Sequence, residues 1–136
     1  MRKQFTILLA ALLSVFSFSG SAQSFQSLDT IQAPAQYDNI YTRQLASDSL
    51  SSTFIIFIKK QVKLHKHAEH TENVIILDGE GEMTLGDKKF MVKKGDMIFI
   101  PKGTPHSLVV TSPGAVKVLS IQSPYFDGKD RIFIEQ

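Results

Sequence analysis

Residues 73–110 read NVIILDGEGEMTLGDKKFMVKKGDMIFIPKGTPHSLVV, and this stretch decides the fold. Apolar runs at 73–77, 82–85, 89–92, 97–100 and 106–110 are four or five residues long. The joints between them are Asp78-Gly79, Gly86-Asp87, Gly95-Asp96 and Pro101-Lys102-Gly103. Such runs suit strands, because a helix needs a longer stretch with a 3.6-residue apolar period. Gly, Asp and Pro supply the backbone geometry that reverses the chain between antiparallel strands. Working outward, further runs lie at 54–58, 115–121 and 131–135, with Ser112-Pro113-Gly114 and Asp127-Gly128 as punctuation. No segment after residue 22 sustains a helical period. The pattern predicts an all-β sandwich or barrel over 53–136, in a chain whose 136 residues suit one domain. Residues 23–52 are polar, rich in Gln, Ser and Asp, and broken by Pro34. They read as an N-terminal arm carrying one or two short strands, one of them near 39–45.

The first 22 residues have the layout of an export signal. Arg2 and Lys3 form a basic start, Phe5 to Phe18 an apolar middle, and Gly20-Ser21-Ala22 a small-residue cleavage site before Gln23. The apolar run is shorter than the ~20 residues a membrane-spanning helix needs. The mature chain is therefore expected to be secreted or periplasmic, with no membrane partner after cleavage. Of the 15 Lys and Arg, Arg2 and Lys3 leave with the signal, so 13 basic residues face 13 acidic ones, none of which lies in 1–22. That balance gives no electrostatic footprint for nucleic acid. The absence of cysteine excludes disulfides, thiolate metal sites and a thiol nucleophile.

The chemistry-bearing residues cluster. Of four histidines, His65, His67 and His70 lie within six residues, and His106 follows the stiff loop Pro101-Lys102-Gly103-Thr104-Pro105. His65 and His67 are two apart, which on a strand puts both imidazoles on one face. Glu72 follows after a short turn. A His-x-His pair alone is weak, since histidines also serve as ordinary hydrogen-bonded residues. The wider context is more specific. His65-Lys66-His67, four residues, Glu72, six residues and Gly79 form one pattern. Gly95, five residues, Pro101-Lys102-Gly103, two residues and His106 form a second.

These two stretches resemble the two signature motifs of the cupin family. Two positions depart from the family pattern: Lys59 stands where the first motif opens with Gly, and Val110 where the second closes with Asn. The resemblance implies a cupin-type double-stranded antiparallel β-barrel, or jelly roll, as a single domain. It also implies one divalent transition metal ion held by His65, His67, Glu72 and His106. The ligand chemistry agrees independently: imidazole suits iron, nickel, copper or zinc, and a carboxylate adds manganese. Four protein ligands leave one or two positions open on a five- or six-coordinate ion.

Around that set, His70 reads as a proton shuttle, a group supporting the ligands, or a turn residue. Lys63 shares strand parity with His65 and His67, which would point it into the barrel unless it reaches out to solvent. Tyr125 would cap a pocket or simply close a turn. Phe57, Val74, Ile76, Met97, Phe99 and Leu108 are candidate pocket walls, with plain core packing as the alternative. Two functions fit. One is a metal-dependent enzyme of dioxygenase, isomerase or epimerase type on a small polar metabolite, with His70, Lys63 or Tyr125 moving protons. The other is a noncatalytic module that binds a sugar or other small molecule. A homodimer is expected in either case, with the 23–52 arm adding a strand to a neighbour's sheet edge.

Overall fold

The structure, a computed structural model, describes residues 24–135. The expected signal at 1–22 lies outside the described residues. Of the described residues, those up to Ile31 are set apart from the rest and contain a single helical turn at Leu28–Thr30. The second unit begins at Gln32 and is built from ten strands. They are β1 (Ile40–Ser47), β2 (Ser52–Ile58), β3 (Gln61–Lys66), β4 (Thr71–Asp78) and β5 (Glu80–Leu85). Then come β6 (Lys88–Lys93), β7 (Met97–Ile100), β8 (His106–Val110), β9 (Val116–Ser123) and β10 (Ile132–Phe133).

All pairings are antiparallel, and the strands make two five-stranded sheets, ordered β1-β2-β9-β4-β7 and β10-β3-β8-β5-β6. Among the described residues there is no α-helix. The all-β, jelly-roll expectation holds, because short alternating strands bury one face each only when two sheets are laid together.

Two elements differ from the sequence reading. The stretch set apart as an arm supplies β1, which runs beside β2 from Ile40↔Ile58 to Ser47↔Ser52. This edge strand pairs within its own chain, with Tyr41 against Phe57 at 6.2 Å between ring centroids. The strand expected near 39–45 is this one, and what its mixed polar sequence left open is the sheet it joins, since an edge strand buries little and need not alternate cleanly. The second difference is a β-bulge in β3. Val62 pairs with Leu108 and His65 with His106, so three steps on β3 match two on β8. The extra residue resets the alternation of faces.

The turn at Lys59 explains one departure from the family pattern. Among the described residues no non-glycine has positive φ, so this position does not call for glycine. The Asn39 side chain accepts from the Lys60 and Gln61 N–H groups, which fixes that turn instead.

The interior divides into two ends. Ile58, Ile76, Met83, Val92, Ile98 and Val116 belong to the apolar core. The buried polar side chains include His65, His67, His106, Glu72, Ser120 and Gln122. On β4 the inward row is Glu72, Val74 and Ile76, which carries the chain from the polar end to the apolar end.

Gly79, in the β4–β5 turn, has φ +80°, and a Cβ there would lie 3.0 Å from Ala115 O and from Val116 Cα. Gly86 also has positive φ, +62°, but a Cβ there meets nothing within 4 Å. Gly86→Ala should therefore cost about 1–2 kcal/mol, the left-handed backbone penalty alone. Gly79→Ala should cost more, because backbone must also move. Urea unfolding midpoints of the two variants test this; equal midpoints would contradict it.

Candidate metal centre

β3 carries His65 and delivers His67 just beyond its end, while His106 opens β8 directly opposite His65. All three are buried. Their ligand nitrogens lie within 4.8 Å of one another. Ring centroids stand 4.2 Å apart for His65–His106, 5.1 Å for His65–His67 and 5.3 Å for His67–His106.

Each imidazole is oriented by a backbone carbonyl. Nδ1–H of His65 donates to Lys63 O at 2.8 Å, that of His106 to Thr104 O at 3.0 Å, and that of His67 to Asp130 O. A neutral imidazole that donates through Nδ1 presents the Nε2 lone pair, the arrangement metal-binding histidines use. Nε2 of His67 and of His106 is buried with no hydrogen-bond partner. The Glu72 carboxylate, from the facing sheet, places Oε2 3.4 Å from both of these atoms. Its other oxygen accepts from Ser120 Oγ at 2.5 Å. Lone pairs of two imidazoles and a carboxylate thus converge in a buried space, which is stable only with positive charge between them. Three imidazoles and one carboxylate fit a divalent transition ion.

The electrostatics agree. Burial, helped by the neighbouring His106, lowers the His65 pKa to about 4, so His65 stays neutral and able to coordinate well into the acid range. Burial raises the Glu72 pKa, but the Ser120 hydroxyl and, where protons sit on Nε2 of His106 and His67, those imidazoles outweigh it and hold the carboxyl well below its usual range, so positive charge at this point keeps Glu72 ionised.

Beside the cluster a cavity of about 80 Å³ runs toward the apolar core. Val74, Ile76 and Leu108, three of the expected walls, line it together with His65, His106 and Glu72. The other three expected walls do not. Met97 and Phe99 are 63% and 54% exposed, because β7 turns Ile98 and Ile100 inward instead. Phe57 faces away from Ile56 and Ile58, and packs under the Lys117 ammonium at 5.3 Å.

The three candidate proton carriers also lie elsewhere. The bulge turns Lys63 outward, leaving only its carbonyl to serve the site by orienting His65. Tyr125 is 52% exposed and contributes its carbonyl to His70. His70 is buried 6.5 Å from the His67 ring, with Nδ1 2.6 Å from Asp130 Oδ2 and Nε2 2.9 Å from Tyr125 O. Both its nitrogens face acceptors, an arrangement that favours the imidazolium. Burial opposes that charge, but the Asp130 carboxylate and the Tyr125 carbonyl prevail and raise its pKa. None of the three lines the cavity.

Sequence reasoning missed three residues. Ser120 was hidden in an apolar strand. Asp130 lies between the Asp127-Gly128 turn and the last apolar run, and Arg131 opens that run, so neither stands out locally. Asp130 accepts from the Ala68 and Glu69 N–H groups, pairs with His70, and orients His67 through its carbonyl. Arg131 lines the cavity.

Residues 55–122 match the family model for the cupin domain. The chain belongs to the cupin family. An uncharacterized protein from Aquifex aeolicus is 44% identical over 84 residues, covering 62% of this chain and 69% of its own. Quercetin 2,3-dioxygenase of Bacillus subtilis is 43% identical over 44 residues, which is 32% of this cupin and 13% of that enzyme. Among solved structures, a double-stranded β-helix protein of Klebsiella pneumoniae superposes with a TM-score of 0.71 at 17% identity. That match covers 85% of this cupin and 100% of the other chain, and it speaks to the fold.

Asp130→Asn should weaken metal binding by no more than ~10–100-fold, because the Asp130 carbonyl that orients His67 remains and is loosened only through the side-chain bonds to Ala68, Glu69 and His70. It should also change the pH profile of stability. Burial raises the Asp130 pKa, but His70 and the two backbone N–H groups outweigh it and hold the pKa at about 2. The carboxylate therefore stabilises the fold above about pH 4, and that contribution is lost as pH falls through about 2. The His70 contribution runs the other way, present at low pH and lost as pH rises through its raised pKa. Wild type should exceed Asp130→Asn in urea midpoint above about pH 4, with a gap that narrows as pH rises through the raised His70 pKa and closes as pH falls through about 2. A pH-independent gap would contradict this.

Proposed function

We propose that this cupin holds one divalent ion, iron, manganese, nickel, copper or zinc, with His65, His67, Glu72 and His106. We further propose that it acts on a small metabolite in the adjoining cavity. The observation that carries the reading is the pair of partnerless Nε2 atoms facing a buried carboxylate. A bound ion would supply Lewis acidity, or redox chemistry of the dioxygenase kind. The chain's own contribution is to fix three imidazoles through their Nδ1 atoms and to keep Glu72 ionised. It also surrounds the reacting space with aliphatic walls that exclude water. An enzyme of dioxygenase, isomerase or epimerase type fits this arrangement.

A noncatalytic small-molecule binding module is the second reading. It is favoured by the cavity's lack of any acid–base side chain beyond the cluster itself. Turnover of a bound metabolite by the metal-loaded protein, with and without air, separates the two.

Metal analysis of untagged protein tests the common ground. Wild type should carry about one ion per chain. His65→Ala, His67→Ala and His106→Ala should each lose most of it, since a coordinate bond is deleted. His70→Ala should keep it, at an affinity lowered by no more than ~10–100-fold. Loss of the ion from His70→Ala alone would overturn the assignment.

We also propose export followed by homodimer formation. Met97 and Phe99 leave apolar surface on the edge strand β7 that a second copy would cover. The exported protein should begin at Gln23 and scatter light as a dimer at micromolar concentration. A monomer would rule out the assembly.

A further inference from the structure

Arg131 is the one Lys or Arg among the residues that line the cavity. It has no ion pair with any described carboxylate. Glu72, the acidic side chain of the cavity, is already engaged by His67, His106 and Ser120. The Arg131 backbone is held on both sides. Asp130 before it is tied to residues 67–70, and Ile132 and Phe133 after it pair with Lys66 and His65. A further bond from Ile134 N–H to Leu64 O anchors the strand beyond. Arg131 is thus an exposed cationic residue, carried on a fixed backbone, that lines a largely aliphatic cavity.

An unpaired cation beside low-dielectric walls attracts an anion more strongly than the same group in open solvent. A guanidinium offers two parallel N–H donors, which match the two oxygens of a carboxylate. A phosphate carries more anionic oxygens than one forked guanidinium matches and would depend on the ion for the rest, because no second cationic side chain among the described residues lines the space. The volume of about 80 Å³ has room for roughly five to eight water-sized groups, at about 10–15 Å³ each. Ile56, Val62, Val74 and Leu108 would surround the body of such a ligand, and Thr42 and Ser107 offer hydroxyls at its side.

We propose that the cavity selects a small aliphatic monocarboxylate, with Arg131 as the group that binds its carboxylate and sets specificity. The inference rests on the reading of the neighbouring histidines as a metal centre with a ligand beside it.

The test is calorimetric titration of the full-length, metal-replete protein with 2-hydroxybutanoate, 2-hydroxybutanamide and inorganic phosphate, on wild type, Arg131→Gln and Arg131→Lys. Metal content is measured on every sample. Wild type should bind the carboxylate at least about tenfold more tightly than the amide or phosphate, as a charge-assisted pair outweighs a neutral one. Arg131→Gln should lose that preference while keeping its metal and its affinity for the amide. Arg131→Lys should recover only part of it, since an ammonium cannot bind in the forked manner. Unchanged carboxylate affinity in Arg131→Gln would overturn the proposal and leave the metal reading intact. So would a wild type that prefers the amide or phosphate. If wild type holds no metal yet binds the carboxylate through Arg131, the metal reading falls and the carboxylate site stands.

Discussion

Glu72 is a buried carboxylate whose oxygen faces the Nε2 atoms of two imidazoles at 3.4 Å. In a protein interior such a convergence of lone pairs repels itself, and burying the charge alone costs several kcal/mol. The surrounding structure is arranged to make this tolerable. Ser120 donates to one carboxylate oxygen, and three carbonyls hold the Nδ1–H groups so that the rings cannot turn away. The result is a preorganised demand for a cation, which is the condition for a tight metal site.

The orientation of His67 depends on residues far along the chain. Asp130 gathers the His67 ring, two backbone N–H groups and the His70 imidazolium at one point. It thereby fastens the polar tail to the turn between β3 and β4. Phe126 packs edge-on against both His67 and His70, at 5.4 Å and 5.0 Å between ring centroids, and shields the clamp from water. The ion pair is worth more there than on an open surface, where such pairs contribute little. The same fastening sets the backbone of Arg131, so the geometry of the histidines and the character of the cavity edge are joined.

The β3 bulge shows how much a single extra residue decides. Regular alternation would aim Lys63 into the barrel beside His65. The bulge turns Lys63 outward and puts Val62 and His65 on the cavity side together. The interior stays free of a lysine that would compete with a metal ion, and the cavity gains an aliphatic wall. On β7 the alternation is regular but of the opposite phase to the expected walls, so Met97 and Phe99 lie outside. A four-residue run in which every side chain is apolar carries no phase information, and only the pairing with β4 assigns its faces.

The sequence by itself determined the all-β class, the positions of most turns and the grouping of His65, His67, Glu72 and His106. Those features are written locally: glycines where φ must be positive, alternating runs, and donor residues at strand spacing and after a rigid proline loop. The tertiary structure alone decided that β1 belongs to the sheet, that Lys63, Met97 and Phe99 face outward, and that Asp130 and Arg131 belong to the site. Each of these depends on contacts between residues distant in the chain. A strand's register and a tail's docking point are chosen by the partner that covers them, and no local pattern encodes that partner.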